Sequence, residues 1–525
     1  MSDNNQVNHF DGKQTIDEEH FFKTVIGLYN DGSGPEVLPA DFWTARSIVP
    51  PGTGVERDFS YISPDIPEFY ADKCIGCMEC VTMCPDTAIL GKVVAKSVLE
   101  KSIDELPEEE KVVIRKHFSV TKKYWDVPQK KGFEPGYFAI WVDPSKCKGC
   151  GECVDVCGEH HALAMITKDQ KIMNDYKKIH LFIRNKLPET PKEYINEKTL
   201  ADFMLTDRAL GYVGGAGSCA GCGEATAIRM LISATHFVYG ENSMAIAAST
   251  GCNTVYGSTY PFNPYKVTWI NSLFENSTVV AVGMKAMYDK LGFGNVKVWA
   301  LGGDGAMADI GFQPLSRVLV SGMDIKIMVL DTQVYSNTGG QASTTTFTGQ
   351  DAKMSAFGKV KKGKAERRKE LGLIAMMHPE VYVAQTTPAH ITHFYRAVMG
   401  ANEYPGPAIV IAYSVCQPEH GVGDDASTRQ AKLAVDSRAF PLFIYDPRKS
   451  HSIKERLSLH GNPSIDKDWS VDHSGKEIKF VDWAKTEGRF SKHFKNGNPS
   501  EELLAIQEER LKNWRTLKEL AGLLK

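Results

Sequence analysis

The sequence predicts an α/β protein, a parallel sheet flanked by helices, joined to a small α+β domain that carries two cysteine clusters. Three observations predict it. Between about residues 195 and 435 short apolar runs alternate with glycine-rich turns and longer helical stretches. Between 66 and 165 eight of the twelve cysteines fall into two copies of one spacing. The length, 525 residues, leaves room for about three cores.

Taken in order, residues 1–65 are rich in Pro, Gly and Asp and read as an extended arm that wraps a neighbour. Residues 66–165 form the cysteine domain, interrupted by a charged stretch, ELPEEEKVVIRKHF, that reads as an inserted solvent-facing helix. Residues 166–194 read as a linker. In 195–435 four runs are short and aliphatic enough to be buried strands: Met244–Ala248, Val296–Leu301, Ile325–Leu330 and Ala408–Tyr413. Residues 436–525 read as a helical arm. Its last helix sets Leu504, Leu511, Trp514, Leu517, Ala521 and Leu524 on one face for docking, with no chemistry assigned.

A net charge of −3 with both signs abundant gives no basic stripe and no reason to expect nucleic acid. The polar, acidic start lacks a secretory signal pattern. No apolar run approaches the roughly 18 residues that span a bilayer, so a cytoplasmic protein without a membrane anchor is expected. In a reducing compartment the cysteines are expected to bind metal rather than to pair.

The first cluster is Cys74-x2-Cys77-x2-Cys80-x3-Cys84-Pro85 and the second Cys147-x2-Cys150-x2-Cys153-x3-Cys157. Three closely spaced thiolates on one loop hold three corners of a cubane, and in two-cluster ferredoxins the fourth Cys ligates the other cluster. Cys74, Cys77, Cys80 and Cys157 are therefore assigned to one [4Fe–4S] cluster, and Cys147, Cys150, Cys153 and Cys84 to the other. Zinc, which closes with two pairs of ligands, has no use for this run. Gly76 and Gly149 fall where the loops must bend tightly, and His160 and His161 are expected at the surface. The remaining cysteines, Cys219, Cys222, Cys252 and Cys416, lie in glycine-rich turns or just after predicted strands. Spacing leaves them open between zinc, a third iron–sulfur cluster and unrelated buried thiols.

After the strand ending at Leu301 comes Gly302-Gly303-Asp304-Gly305-Ala306, and Thr332 follows 28 positions beyond Asp304 in DTQVYSNTGGQ. Glycines let a backbone approach a diphosphate, and Asp304 supplies a hard oxygen for Mg²⁺. The pair of loops resembles the GDG…N signature of thiamine-diphosphate enzymes, with Asp331-Thr332 where an asparagine is usual.

Two ferredoxin-type clusters followed by SCAGCGE, STGCN, GGDGAMADIG and DTQVYSNTGGQAS resemble the pyruvate:ferredoxin (2-oxoacid:ferredoxin) oxidoreductase family over about residues 65–435. The resemblance implies that the sheet binds thiamine diphosphate through Gly303, Asp304, Gly305, Ala306, Thr332, Val334, Asn337 and Thr338, with Glu224 and Cys222 beside it. Asp304, the Thr332 hydroxyl and the Val334 carbonyl would hold Mg²⁺. Cys219, Cys222, Cys252 and Cys416 would hold a third, proximal [4Fe–4S] cluster, and Asn337, bordering the substrate pocket, and Glu224, near the cofactor, would be the catalytic residues.

The implied reaction is oxidative decarboxylation of pyruvate to acetyl-coenzyme A, with electrons passed singly through three clusters to ferredoxin or flavodoxin. A second polypeptide would supply the pyrimidine-binding domain, the substrate-carboxylate arginine and the coenzyme A domain, in a multimer of heterodimers. A lone chain would then be inactive. Other readings are the same chemistry on 2-oxoglutarate or another 2-oxo acid, non-oxidative decarboxylation, and an electron-transfer subunit with a non-catalytic thiamine domain. The stretch 359–370, with seven basic and two acidic residues, reads as a solvated helix face, the alternative being a phosphate or acidic-ferredoxin contact.

Overall fold

The structure is a computed structural model that describes residues 18–37, 47–355 and 363–524. Five strands build the cysteine domain: β1 (Asp65–Phe69), β2 (Ile89–Ala95), β3 (Phe118–Ser119), β4 (Gly136–Val142) and β5 (Leu163–Thr167). β2 and β3 flank β4 antiparallel, and β1 pairs antiparallel with β5. Each cysteine run ends in a short helix, Glu79–Met83 or Glu152–Cys157, entered through a left-handed residue, Met78 or Gly151. The helix Glu108–Arg115 buries only Ile114, as the acidic sequence of that insertion requires.

The larger sheet has eight strands among the described residues: β6 (Met244–Ser249), β7 (Thr268–Ser272), β8 (Lys297–Gly303), β9 (Ile325–Asp331), β10 (Tyr382–Thr386), β11 (Ala408–Tyr413), β12 (Phe443–Tyr445) and β13 (Leu457–Ser458). Their order is β13-β12-β10-β11-β9-β8-β6-β7, parallel from β7 to β10 and antiparallel at β12 and β13. The four strands expected from the sequence are the neighbouring β6, β8, β9 and β11. The two faces of the sheet separate by strand alternation. Ile246, Trp299, Leu301, Met328 and Val410 share a core with the helix Gly223–Tyr239 and the cysteine domain. Ala247, Val298, Ala300, Ile327 and Ile411 share the other with the C-terminal helix Glu501–Leu520.

Three expectations about the elements are corrected. The segment 166–194, expected as a linker, holds the helix Gln170–Asn185, docked on the cysteine domain through Tyr176, Ile179, Phe182 and Ile183. Its apolar spacing has a partner in β4, where Trp141 Nε1 donates to His180 Nδ1 at 3.3 Å. The sheet does not stop at 435, because β12 and β13 extend its edge; strands of two and three residues carry no readable period. The C-terminal helix buries Leu503, Ile506, Leu511, Trp514 and Leu517, whereas Leu504 and Leu524 are exposed, 42% and 41%. A docked helix buries an i, i+3, i+4 stripe, which is wider than the seam of 3.5 spacing.

The arm expected over 1–65 lies, in its described part, along its own chain. Phe21, Val25 and Ile26 pack on Tyr260 and Phe262, and Thr53 Oγ1 donates to Pro261 O at 2.9 Å. Residues 1–17 and 38–46 lie outside the described residues. No helix among the described residues is long and apolar enough to cross a membrane.

Candidate active site and redox centres

In the cysteine domain the chain brings together Cys74, Cys77, Cys80 and Cys157 around one cavity. Cys84, Cys147, Cys150 and Cys153 surround another. The crossing follows from the fold: β1 and β5 pair, and the two short helices pack side by side, so the last cysteine of each run faces the other run. Burial pushes Cys80, Cys150 and Cys153 well above the usual thiol range. Thiols held in this way become ligands only against a compensating cationic centre, so the donor sets fit iron–sulfur cores. Backbone amides of Ala88 and Ala162 donate to the sulfurs of Cys84 and Cys157, each at 3.3 Å. Cys77 is exposed and His160 stands at the mouth of its cavity, an exposed residue as expected.

Of the other four cysteines, Cys252 lies within electrostatic reach of the remaining three. The Cys252 thiol is raised by burial and then by Glu224, Cys222, Cys416 and Cys219 around it. The loop carrying Cys219 and Cys222 is stitched to the segment after β11: Gly223 N donates to Val415 O at 3.2 Å, and Gln417 Nε2 donates to Gly221 O. A Cβ at Gly221 would lie 1.9 Å from Asp424 O, so this approach needs glycine.

The diphosphate motif opens onto a pocket at the carboxyl ends of β6, β8 and β9, where ligands collect in a parallel sheet. Gly303, Gly305, Ala306, Thr332, Val334, Asn337, Thr338 and Glu224 all line it, and so does Cys252. Asp304 sits behind the lining: its Oδ1 accepts from Thr332 Oγ1 at 3.2 Å, and the same hydroxyl is 3.1 Å from Val334 O. These three oxygens are of the hard type that Mg²⁺ takes. Cys222 is not among the lining residues; its thiol is raised by burial and then by the charge of Glu224, with Cys219 and Cys416 adding to it. Asn337 and Thr338 are exposed at the rim.

Glu224 gives the fit test for a polar cofactor. Its Oε2 is buried without a hydrogen-bond partner, and burial, then the charge of Asp304, push its carboxyl up to about 8. An orphaned, neutral carboxyl facing a pocket is a donor waiting for an acceptor.

Sequence reasoning missed the support behind Asp304. Ser343 Oγ and Thr345 Oγ1 donate to Asp304 Oδ2, the latter at 2.8 Å, and Thr345 Oγ1 also reaches Asp331 Oδ1 at 3.2 Å. Burial, then the neighbouring Asp331, raise the Asp304 carboxyl. Arg368 answers that charge: Nη2 donates to Asp331 Oδ2 at 2.6 Å and Nη1 to Thr345 O, with the side chain 4% exposed. Arg510 of the C-terminal helix continues the network, 2.7 Å from Glu370, which itself lies 3.8 Å from Arg368.

This corrects the reading of 359–370 as a solvated helix face. Residues 359–362 lie outside the described residues; of the rest, Lys364 and Arg368 are buried, and Lys364 Nζ donates to Thr344 O and Thr346 O at 3.0 and 2.8 Å. The cations serve the site's own loop because a buried acidic pair and a turn full of carbonyls need donors. Tyr335, Ser336 and Thr250 also line the pocket. Tyr335 was legible only in hindsight: its ring occupies the space a Cβ on Gly305 would need, 2.3 Å away.

Two family models match separate stretches of the chain. The model described as "4Fe-4S dicluster domain" matches residues 73–163, and that described as "Thiamine pyrophosphate enzyme, C-terminal TPP binding domain" matches 249–412. The pyruvate:ferredoxin oxidoreductase of Moorella thermoacetica is 29% identical, aligned over 85% of this chain and 42% of its own length. The Escherichia coli K12 protein named "Probable pyruvate-flavodoxin oxidoreductase" is 29% identical over 84% of this chain and 41% of its own. This chain thus spans about two-fifths of the length of these curated relatives. A 2-oxoglutarate:ferredoxin oxidoreductase structure from Magnetococcus marinus superposes at a TM-score of 0.33 and 22% identity, covering 39% of this chain and 65% of that one, a likeness too low to bear on the fold. The chain therefore joins a 4Fe–4S dicluster domain to a thiamine pyrophosphate binding domain, and over most of its length it is homologous to one part of the pyruvate:ferredoxin and pyruvate-flavodoxin oxidoreductases.

Proposed function

We propose that this chain is the thiamine-diphosphate- and cluster-bearing part of a 2-oxoacid:ferredoxin oxidoreductase that oxidatively decarboxylates pyruvate to acetyl-coenzyme A and passes electrons to ferredoxin or flavodoxin. The observation that carries the reading is the double position of Cys252, which lines the diphosphate pocket and also lies within electrostatic reach of Cys222, Cys416 and Cys219. A carbanion-forming site and a one-electron carrier thus share a wall. Thiamine diphosphate supplies the electron sink for decarboxylation when bound, and iron–sulfur centres supply single-electron steps.

The chain's own residues have separate tasks in this reading. Asp304, Thr332 Oγ1 and the Val334 carbonyl hold Mg²⁺, while Gly303 and Gly305 let the backbone approach the diphosphate. Glu224, neutral near pH 7, donates its proton in a hydrogen bond across the pocket. Cys219, Cys222, Cys252 and Cys416 hold a third cluster. Cys84, Cys147, Cys150 and Cys153 hold the next, and Cys74, Cys77, Cys80 and Cys157, with Cys77 exposed, the outermost. Asn337 stands at the rim, where substrate and a second polypeptide carrying the pyrimidine-binding and coenzyme A domains would meet it. Such a complex would be a multimer of heterodimers; the curated relatives carry the matching part within one longer chain.

Anaerobic iron, sulfide, zinc and thiamine analysis of the complex as purified tests the reading. About twelve irons and one thiamine diphosphate per chain are expected. Eight irons with zinc would remove the third cluster and, with it, the route for electrons out of the pocket. Turnover with pyruvate against 2-oxoglutarate, with and without coenzyme A, tests the substrate and the acyl acceptor.

A further inference from the structure

A buried lysine lies between two of the thiol sets. Lys148 stands between Cys147 and Cys150 with its side chain 2% exposed. Its Nζ is 2.6 Å from Asp86 Oδ1, 2.9 Å from Ala216 O, 2.8 Å from Ser218 O and 3.0 Å from Ser218 Oγ. Asp86 follows Cys84 by two residues, and Ser218 immediately precedes Cys219. One ammonium thus touches the ligand loops of the second ferredoxin-type set and of the third set together. The backbone before Ser218 is pressed onto the same place, since a Cβ at Gly214 would lie 2.3 Å from Asp86 O.

A clamp made only for stability would not need this chemistry. Burying a charge is expensive even when it is paired, and apolar side chains of similar volume hold two loops together at least as well. The lysine also offers a specific connection: from Cys147 through one residue's backbone and side chain, across a hydrogen bond to Ser218 O, and through one peptide to Cys219.

We propose that Lys148 is the positioning residue that couples the third cluster to the second ferredoxin-type cluster, fixing their separation and giving the electron a hydrogen-bonded route from the Cys219 loop to the Cys147 loop. The inference rests on the three-cluster reading above. In the step one electron leaves the third cluster, which is oxidised, and enters the second, which is reduced; no bond breaks and no proton moves.

The test uses the complex as purified under argon. Iron is measured first, and a wild type with eight irons would sink the three-cluster reading itself before any variant is compared. With twelve irons present, two signals are followed by electron paramagnetic resonance: the arrival of electrons at the ferredoxin-type clusters after mixing with pyruvate and coenzyme A, and the magnetic broadening between neighbouring clusters in the fully reduced protein. Lys148→Met is expected to slow arrival about tenfold or more and to lessen the broadening, as small displacements of a coupled pair do. Lys148→Gln keeps an N–H for Ser218 O and should stay within about threefold of wild type.

Unchanged arrival and broadening in Lys148→Met overturn the inference. Equal slowing in the Gln and Met variants also overturns it, because the charge and not the route would then matter. Should Lys148→Met lose iron, Asp86→Asn is read instead. It leaves the contacts of Nζ to Ala216 and Ser218 in place, so arrival should stay within about threefold. A tenfold slowing there would refute the route.

Discussion

The two ferredoxin-type thiol sets and the diphosphate pocket are built in opposite ways. In each thiol set three cysteines come from one loop of seven residues and the fourth from its twin. The pocket takes its parts from the ends of β6, β8 and β9, from the start of the helix Gly223–Tyr239, and from a loop whose anchor, Arg368, lies 37 residues beyond Asp331. A local motif concentrates its chemistry in the ligands. An assembled site spreads it into the groups that hold the ligands, where a sequence carries no spacing to mark them.

The sharpest way to break this comparison is to remove one crossing ligand. Cys157→Ser should cost about four irons and abolish one cluster's resonance. The loss should fall on the set of Cys74, Cys77 and Cys80, although Cys157 sits in the same run as Cys147, Cys150 and Cys153. Loss of the other resonance would mean that the sets are local after all.

For the assembled site the largest effect should come from a residue that touches neither metal nor cofactor. Arg368→Met leaves Asp331 buried without its counter-charge beside Asp304, and breaking such a pair costs about 3–5 kcal/mol. The thermal unfolding midpoint should fall, and thiamine diphosphate should be retained more weakly at any given Mg²⁺ concentration. Arg368→Lys, which keeps the charge but loses one of the two contacts, should lie between. A Met variant that melts and binds as the wild type does would show that Asp331 needs no partner.

The same contrast explains what the sequence made legible. The cysteine repeats, the GGDGA turn and the central strands β6, β8, β9 and β11 are contiguous patterns, and each stands within a residue or two of where spacing and apolarity set it. The edge strand β7, TWINS, is half exposed and polar, and β12 and β13 are too short for any period. Arg368 and Lys364 read as surface charge because a basic run gives no hint of the carbonyls and the acidic pair it will meet. The helix Gln170–Asn185 carried an apolar period, but the surface it buries exists only once β2 and β4 have paired.

The smallest expected effect tests whether the pocket and the proposed third cluster are joined by side chains or merely adjacent. Ser336 Oγ lies 2.6 Å from Thr332 Oγ1, and its hydroxyl also acts on Cys416, lowering a thiol that burial still holds up at about 12. Ser336→Ala removes one hydrogen bond on each side. A net worth of about 1 kcal/mol predicts roughly fivefold weaker retention of thiamine diphosphate in equilibrium dialysis. A donor to a cluster sulfur favours the reduced, more negative state, so its loss should also lower the reduction potential of the third cluster. Both shifts together would make Ser336 a shared strut. A change in binding with the potential untouched would leave the hydroxyl serving the metal side alone, and the comparison would then be between three separate sites rather than between two local centres and one that reaches into its neighbour.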